Sequence, residues 1–134
     1  MKKTISAPEF AHFHDAWRLS PALDTGEFVF FSGVTGCRPD GTVAEDPEEQ
    51  FRDAFRFLSM TLDAAGLTFD DVVEMTTYHV DLRKHLDAFT RVKDAFVSAP
   101  YPAWSAIGTT ELITPGTLIE IRVICRRGAS ARPT

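Results

Sequence analysis

The chain has 134 residues, 44% of them apolar, which suits one globular domain around a single core and disfavours two. Its formal charge of −5 supplies no clustered Lys and Arg surface for a polyphosphate, so nucleic acid is disfavoured as a partner. Residues 1–9 contain no apolar h-region and no window approaches the roughly 18 apolar residues of a membrane span, so a cytoplasmic protein without membrane contact is expected. Cys37 and Cys125 lie too far apart for a disulfide framework or a zinc motif and are expected to be free thiols, with no neighbouring signal for a lowered pKa at Cys37.

In chain order, His12-Phe13-His14 puts two histidines on one face of a strand, a pattern that suits surface polar residues better than a metal site with no third ligand. Residues 26–33 form a β-branched and aromatic run between glycines and predict a largely buried strand ending in a tight turn. Pro39-Asp40-Gly41 predicts a turn. Asp46-Pro47-Glu48-Glu49 supplies an N-cap, a first-turn proline and acidic residues, and Gly66 fits the C′ position. The enclosed helix carries Phe51, Ala54, Phe55, Leu58, Leu62 and Ala65 on one apolar face. Residues 72–80 predict a strand, and residues 85–97 a second amphipathic helix stopped by Pro100 and Pro102. Residues 104–112 and 117–125 predict two final strands, joined by Thr114-Pro115-Gly116 as an antiparallel hairpin, and residues 128–134 a frayed tail. The order β-β-α-β-α-β-β with one-sided helices predicts an α+β domain over the whole chain: a mixed sheet with two helices on one face and the other face needing a cover.

On the last strand the two-residue period places Ile119, Ile121, Val123 and Cys125 towards the helices, and Leu118, Glu120, Arg122 and Ile124 on the opposite face. An acid and a base in mid-strand predict a partly enclosed surface there, as at a subunit interface. Five segments in order resemble the RidA/YjgF family from about residue 26 to 127. They are Phe31-Ser32-Gly33; Ala64-Ala65-Gly66-Leu67 followed by Asp71-Val72-Val73; Thr76-Thr77-Tyr78-His79-Val80-Asp81-Leu82; Tyr101-Pro102-Ala103 with Ser105; and Leu118-Ile119-Glu120-Ile121. The resemblance implies a chorismate-mutase-like homotrimer whose sheets form a central barrel, with ligand clefts between subunits where enamines and imines such as 2-aminoacrylate are hydrolysed. Burial of an open sheet face in a closed cyclic oligomer agrees with that expectation. The endoribonuclease label carried by some relatives fits poorly with the acidic balance.

The family holds its substrate carboxylate with an arginine after Pro-Ala, and here that position is Trp104. Ala106 stands where deaminases often have cysteine, and the family tyrosine falls near Leu19, with Trp17 close enough to substitute. Ser32, Gly33 and Glu120 are retained. Glu120, in a low-dielectric cleft, suits a residue that deprotonates a water attacking an imine carbon; it also suits a structural acid hydrogen-bonded across the barrel. Arg122 lies roughly 7 Å from Glu120 along the strand. It suits either a partial replacement for the carboxylate grip or a salt bridge to Glu120 or a neighbouring subunit. Trp104 suits stacking on a flat or cationic ligand, or plugging the cleft. Ser32 and the Gly33 amide suit donors to a ligand oxygen, or simple turn geometry. The expectation is therefore hydrolysis of an imine, enamine or related metabolite other than 2-aminoacrylate, without metal or cofactor. The rival is a small-molecule binding protein that uses the same clefts without turnover.

Overall fold

The computed structural model describes residues 1–130. Three helices, α1 (His12–Trp17), α2 (Pro47–Ala64) and α3 (Leu82–Phe96), accompany strands β1 (Lys3–Ile5), β2 (Ala22–Asp24), β3 (Phe28–Phe31), β4 (Val34–Thr35), β5 (Val72–Val80), β6 (Ala103–Thr109) and β7 (Ile119–Arg126). The strands form one mixed sheet in the order β1-β2-β3-β7-β5-β6, with β4 also pairing with β7.

The signals at the ends of α2 act as their chemistry requires. The Asp46 side chain accepts from the Glu49 amide at 2.9 Å. At the other end the Leu67 amide bonds back to the Leu62 carbonyl at 2.9 Å, and Gly66 takes a positive φ of 72° that a side chain would oppose. The face of α2 bearing Phe51, Phe55, Leu58 and Leu62 packs with Phe89 of α3 against Ile119, Ile121, Val123 and Cys125, all in one buried cluster. Each such side chain contributes about 1.5–3 kcal/mol of burial. The alternation on β7 is borne out: these four residues are buried, Arg122 is exposed and Glu120 intermediate.

Several expectations need correction. The last two strands are not a hairpin: β6 pairs with β5 in parallel, and β7 pairs with β5 antiparallel from its other side. Parallel pairing needs a crossover, which α3 supplies, so the Thr114-Pro115-Gly116 turn carries the chain across β5 rather than folding β7 back on β6. The residues around His12 and His14 are not a strand but the short helix α1, where two positions two apart do not share a face. The second long helix starts three residues earlier than the sequence suggested, at Leu82. Of the expected tail, residues 128–130 form a turn in which the Ser130 amide donates to Asp71 at 3.0 Å, and residues 131–134 lie outside the described residues.

Strands β3 and β4 approach β7 with a local irregularity that matters for the site. Phe30 faces Ile124 and Val34 faces Ile121, so four steps along one strand match three along the other. The extra residue is accommodated at Ser32-Gly33, as in a β-bulge.

Candidate functional site

That bulge forms the floor of a cavity of about 280 Å³. Phe13 and Trp17 of α1, Leu19 and Pro21 form one wall; Ser32, Gly33, Val34, Thr35 and Cys37 run beneath; Phe57, Ile113 and Thr114 close the sides, and Glu120 of β7 supplies the carboxylate. Helix α1 is only six residues long and has no side-chain cap, so its own propensity does not hold it. A stack of aromatic rings does. Phe10 packs on Phe57 of α2 with centroids 3.5 Å apart, and Phe13 stacks beside both. This brings Phe13 and Trp17 over the bulge.

Gly33 is required by space. A Cβ there would fall 2.5 Å from Glu120 Cδ and 2.7 Å from Cγ and Oε2, so only glycine leaves the carboxylate its place. Among the described residues no donor within hydrogen-bond distance reaches the Glu120 carboxylate, and burial raises its pKa above the usual carboxylate range. Such a group is poised to handle a proton.

Ser32 reaches the cavity in a role other than the expected donor. Its hydroxyl donates to the Ser20 carbonyl at 2.7 Å, which leaves its oxygen only as an acceptor. Cys37 is buried, and desolvation pushes its thiol pKa up, the wrong direction for a nucleophile. Gln50 does not touch the cavity but fixes its rim. From α2 its amide donates to the Ala44 carbonyl at 2.8 Å and the Gly116 carbonyl at 2.9 Å, and its oxygen accepts from the Leu118 amide at 2.9 Å. A buried glutamine thus ties the segment that carries Ile113 and Thr114 to the helix.

A family model described as Endoribonuclease L-PSP matches residues 10–126. The RutC family protein YjgH of Escherichia coli K12 is 44% identical over 110 residues, covering 81% of this chain and 82% of that protein. This chain belongs to the RidA/YjgF family. A 2-iminobutanoate/2-iminopropanoate deaminase of Salmonella typhimurium LT2 is 31% identical over 108 residues, covering 78% of this chain and 84% of that enzyme. The solved structure of protein YjgH superposes with a TM-score of 0.86 at 36% identity, covering 93% of this chain and 95% of that one. The structure of E. coli TdcF with bound serine superposes with a TM-score of 0.76 at 27% identity, covering 81% and 87%.

Within this RidA/YjgF chain, Glu120, Ser32, Gly33, Trp17 and Leu19 come together, whereas Arg122, Trp104 and Ala106 do not join them. Arg122 is on the same face as Glu120 but one pleat further along, where it opens onto an adjoining concavity that shares Ser32 and is lined also by Lys2, Thr4, Ser20, Leu23 and Phe30. Among the described residues it forms no ion pair, with Glu120 or otherwise. Trp104 pairs in register with the buried Met75, so strand alternation turns it, and Ala106 with it, towards the helix side of the sheet. There the indole N–H donates to Thr77 Oγ1 at 3.0 Å, and the Lys93 ammonium sits 4.4 Å from the ring centroid. The cation it stacks on is its own chain's.

The sequence missed Phe13, Pro21, Phe57, Ile113 and Gln50. Each joins the site through long-range packing, and only the Phe-rich run from Phe10 to Phe13 carried a local hint.

Proposed function

We propose that this protein hydrolyses a reactive imine or enamine other than 2-aminoacrylate in the Glu120 cavity. The observation that carries this reading is a carboxylate with no hydrogen-bond donor from the described residues, raised in pKa by burial and facing a cavity of ligand size. Ionised Glu120 takes a proton from water as its oxygen bonds to the carbon of the protonated imine, and the C=N pair moves onto nitrogen. The protonated acid then passes that proton to the nitrogen of the carbinolamine. As the C–N bond breaks and ammonia leaves, the hydroxyl proton returns to the carboxylate and then to solvent, leaving a carbonyl product. Membership of a family with a deaminase relative supports this chemistry. The cavity lining, which holds no cation among the described residues of the chain, supports a substrate different from that of the arginine-bearing members.

We further propose that the chain assembles as a homotrimer, with its sheets facing a central barrel and the cavity at the subunit boundary. Support comes from β6, an edge strand exposed along nearly its whole length, and from Phe30 and Ile107, large apolar residues exposed on the helix-free face. Light scattering tests this, and a stable monomer would contradict it.

For the chemistry, the purified protein is mixed with enzymatically generated 2-aminoacrylate and with a panel of other imines, and carbonyl and ammonia release are followed. The expected outcome is acceleration with an imine other than 2-aminoacrylate, reduced about 10²-fold or more in Glu120→Gln. No acceleration with any imine points to ligand binding without turnover.

A further inference from the structure

We infer that the ligand of the Glu120 cavity is a small apolar or aromatic iminium ion that carries no carboxylate, so that the product is a simple aldehyde or ketone rather than a 2-oxo acid. This rests on the assignment of that cavity as the reaction site.

The charge inventory of the cavity points this way. Among the described residues its lining contains no Lys, Arg or His; its one carboxyl group is Glu120, and much of the remaining lining comes from Phe13, Trp17, Leu19, Val34, Phe57 and Ile113. A substrate carboxylate placed beside Glu120 would put two like charges together in a half-buried space where the chain's own described lining supplies no cation to offset them, an arrangement that proteins avoid. The basic residue nearest along β7, Arg122, opens onto the neighbouring concavity instead.

Hydrogen-bond polarity gives an independent argument. The Ser32 hydroxyl hydrogen is committed to the Ser20 carbonyl, so the serine side chain has only lone pairs left to offer a ligand. The Glu120 carboxylate likewise offers acceptors. Two acceptors here suit a ligand that donates, as the N–H groups of an iminium ion do. A cavity of about 280 Å³ is near the lower end of small-molecule sites, so the apolar part of the ligand is no larger than a single ring or a short branched chain.

The test uses stable probes and does not depend on turnover. Benzylamine stands in for an aromatic iminium ion, and benzoate and serine for carboxylate-bearing ligands; each is titrated into the intact protein by calorimetry. Benzylamine is expected to bind at least tenfold more tightly than benzoate, and Glu120→Gln to weaken it by at least tenfold. Leu19→Arg, at a rim position that is already partly exposed, keeps Glu120 and adds a cation, so it should reverse the preference. Benzoate or serine binding as tightly as benzylamine, or a Glu120→Gln protein that holds benzylamine unchanged, would overturn the inference. Preferential binding of benzylamine without hydrolysis of any imine would instead defeat the catalytic reading and retain the ligand class. Hydrolysis of 2-imino acids accompanied by tight benzoate binding would do the reverse.

Discussion

Two polar centres on either side of β5 have opposite characters. On β7, Glu120 is a half-buried acid whose carboxylate is reached by no donor among the described residues and whose lining neighbours are mostly apolar. On β6, Trp104 is saturated, its N–H spent on Thr77 and its ring on Lys93. Thr77 also bonds to Nε2 of the buried His79 at 2.7 Å, so the tryptophan ends a small internal network. The contrast separates a group held ready for a ligand from one whose N–H is already engaged within its own chain, on an indole that stays exposed at the sheet edge. An unmet hydrogen-bonding capacity beside a cavity is available for chemistry, whereas a satisfied one contributes to stability.

The sharpest way to break this distinction is Gly33→Ala. The added methyl group occupies the space of the Glu120 side chain, which must swing out of the cavity while the buried strand residues around it stay in place. Turnover of the accepted imine should fall about 10²-fold, the scale expected when a catalytic group is displaced by about 1 Å. An alanine variant of full activity would remove Glu120 from the mechanism.

The next effect belongs to the saturated side. Burial depresses the His79 pKa from the ordinary 6.5 to about 4, and among the described residues its Nδ1 has no hydrogen-bond partner. Between these values the unfolded chain binds a proton that the folded chain refuses, so stability falls as the pH falls through that window and is fully present above it. The slope from this residue approaches about 1.4 kcal/mol per pH unit. Denaturant titrations of the wild type and His79→Gln between pH 7 and 4 should therefore diverge in slope, and parallel curves would show that the histidine is not held neutral. On the cavity side, Gln50→Leu leaves two carbonyls and one amide without partners. It should cost about 2 kcal/mol in unfolding free energy and loosen the rim, so that ligand affinity falls along with stability. A variant with normal affinity would show that the rim holds itself.

How much of this was legible depended on the range of the interaction that decides each element. Helix α2 was readable because Asp46, Pro47 and Gly66 act within a few residues of themselves, and the two faces of β7 because alternation is local. Helix α1 was not, since the ring on which Phe10 and Phe13 stack, Phe57, comes from a distant segment. The hairpin expected between the last strands failed for a related reason. Thr114-Pro115-Gly116 is a true turn signal, but which strand β6 pairs with is settled by the crossover through α3. In the site, Glu120 stood out as an acid in mid-strand, and Ser32 and Gly33 through the family resemblance alone. Trp104 stood out equally and proved to face the other way, because one strand position decides which side of a sheet a side chain serves.

The smallest effect is also the cleanest measure of the separation between the two centres. In Trp104→Phe the ring still fills its place between Phe89 and Lys93, but Thr77 loses the indole donor. One hydrogen bond of this kind is worth about 1 kcal/mol, so the variant should unfold a few degrees lower. Its imine turnover and benzylamine affinity should equal those of the wild type, since neither Trp104 nor Thr77 lines the Glu120 cavity within the chain. If turnover drops while stability holds, Trp104 reaches a ligand after all, which in a closed ring requires the exposed edge β6 to lie against a neighbour's cavity. The paired measurement of melting temperature and turnover therefore decides whether the tryptophan serves its own core or the subunit beside it.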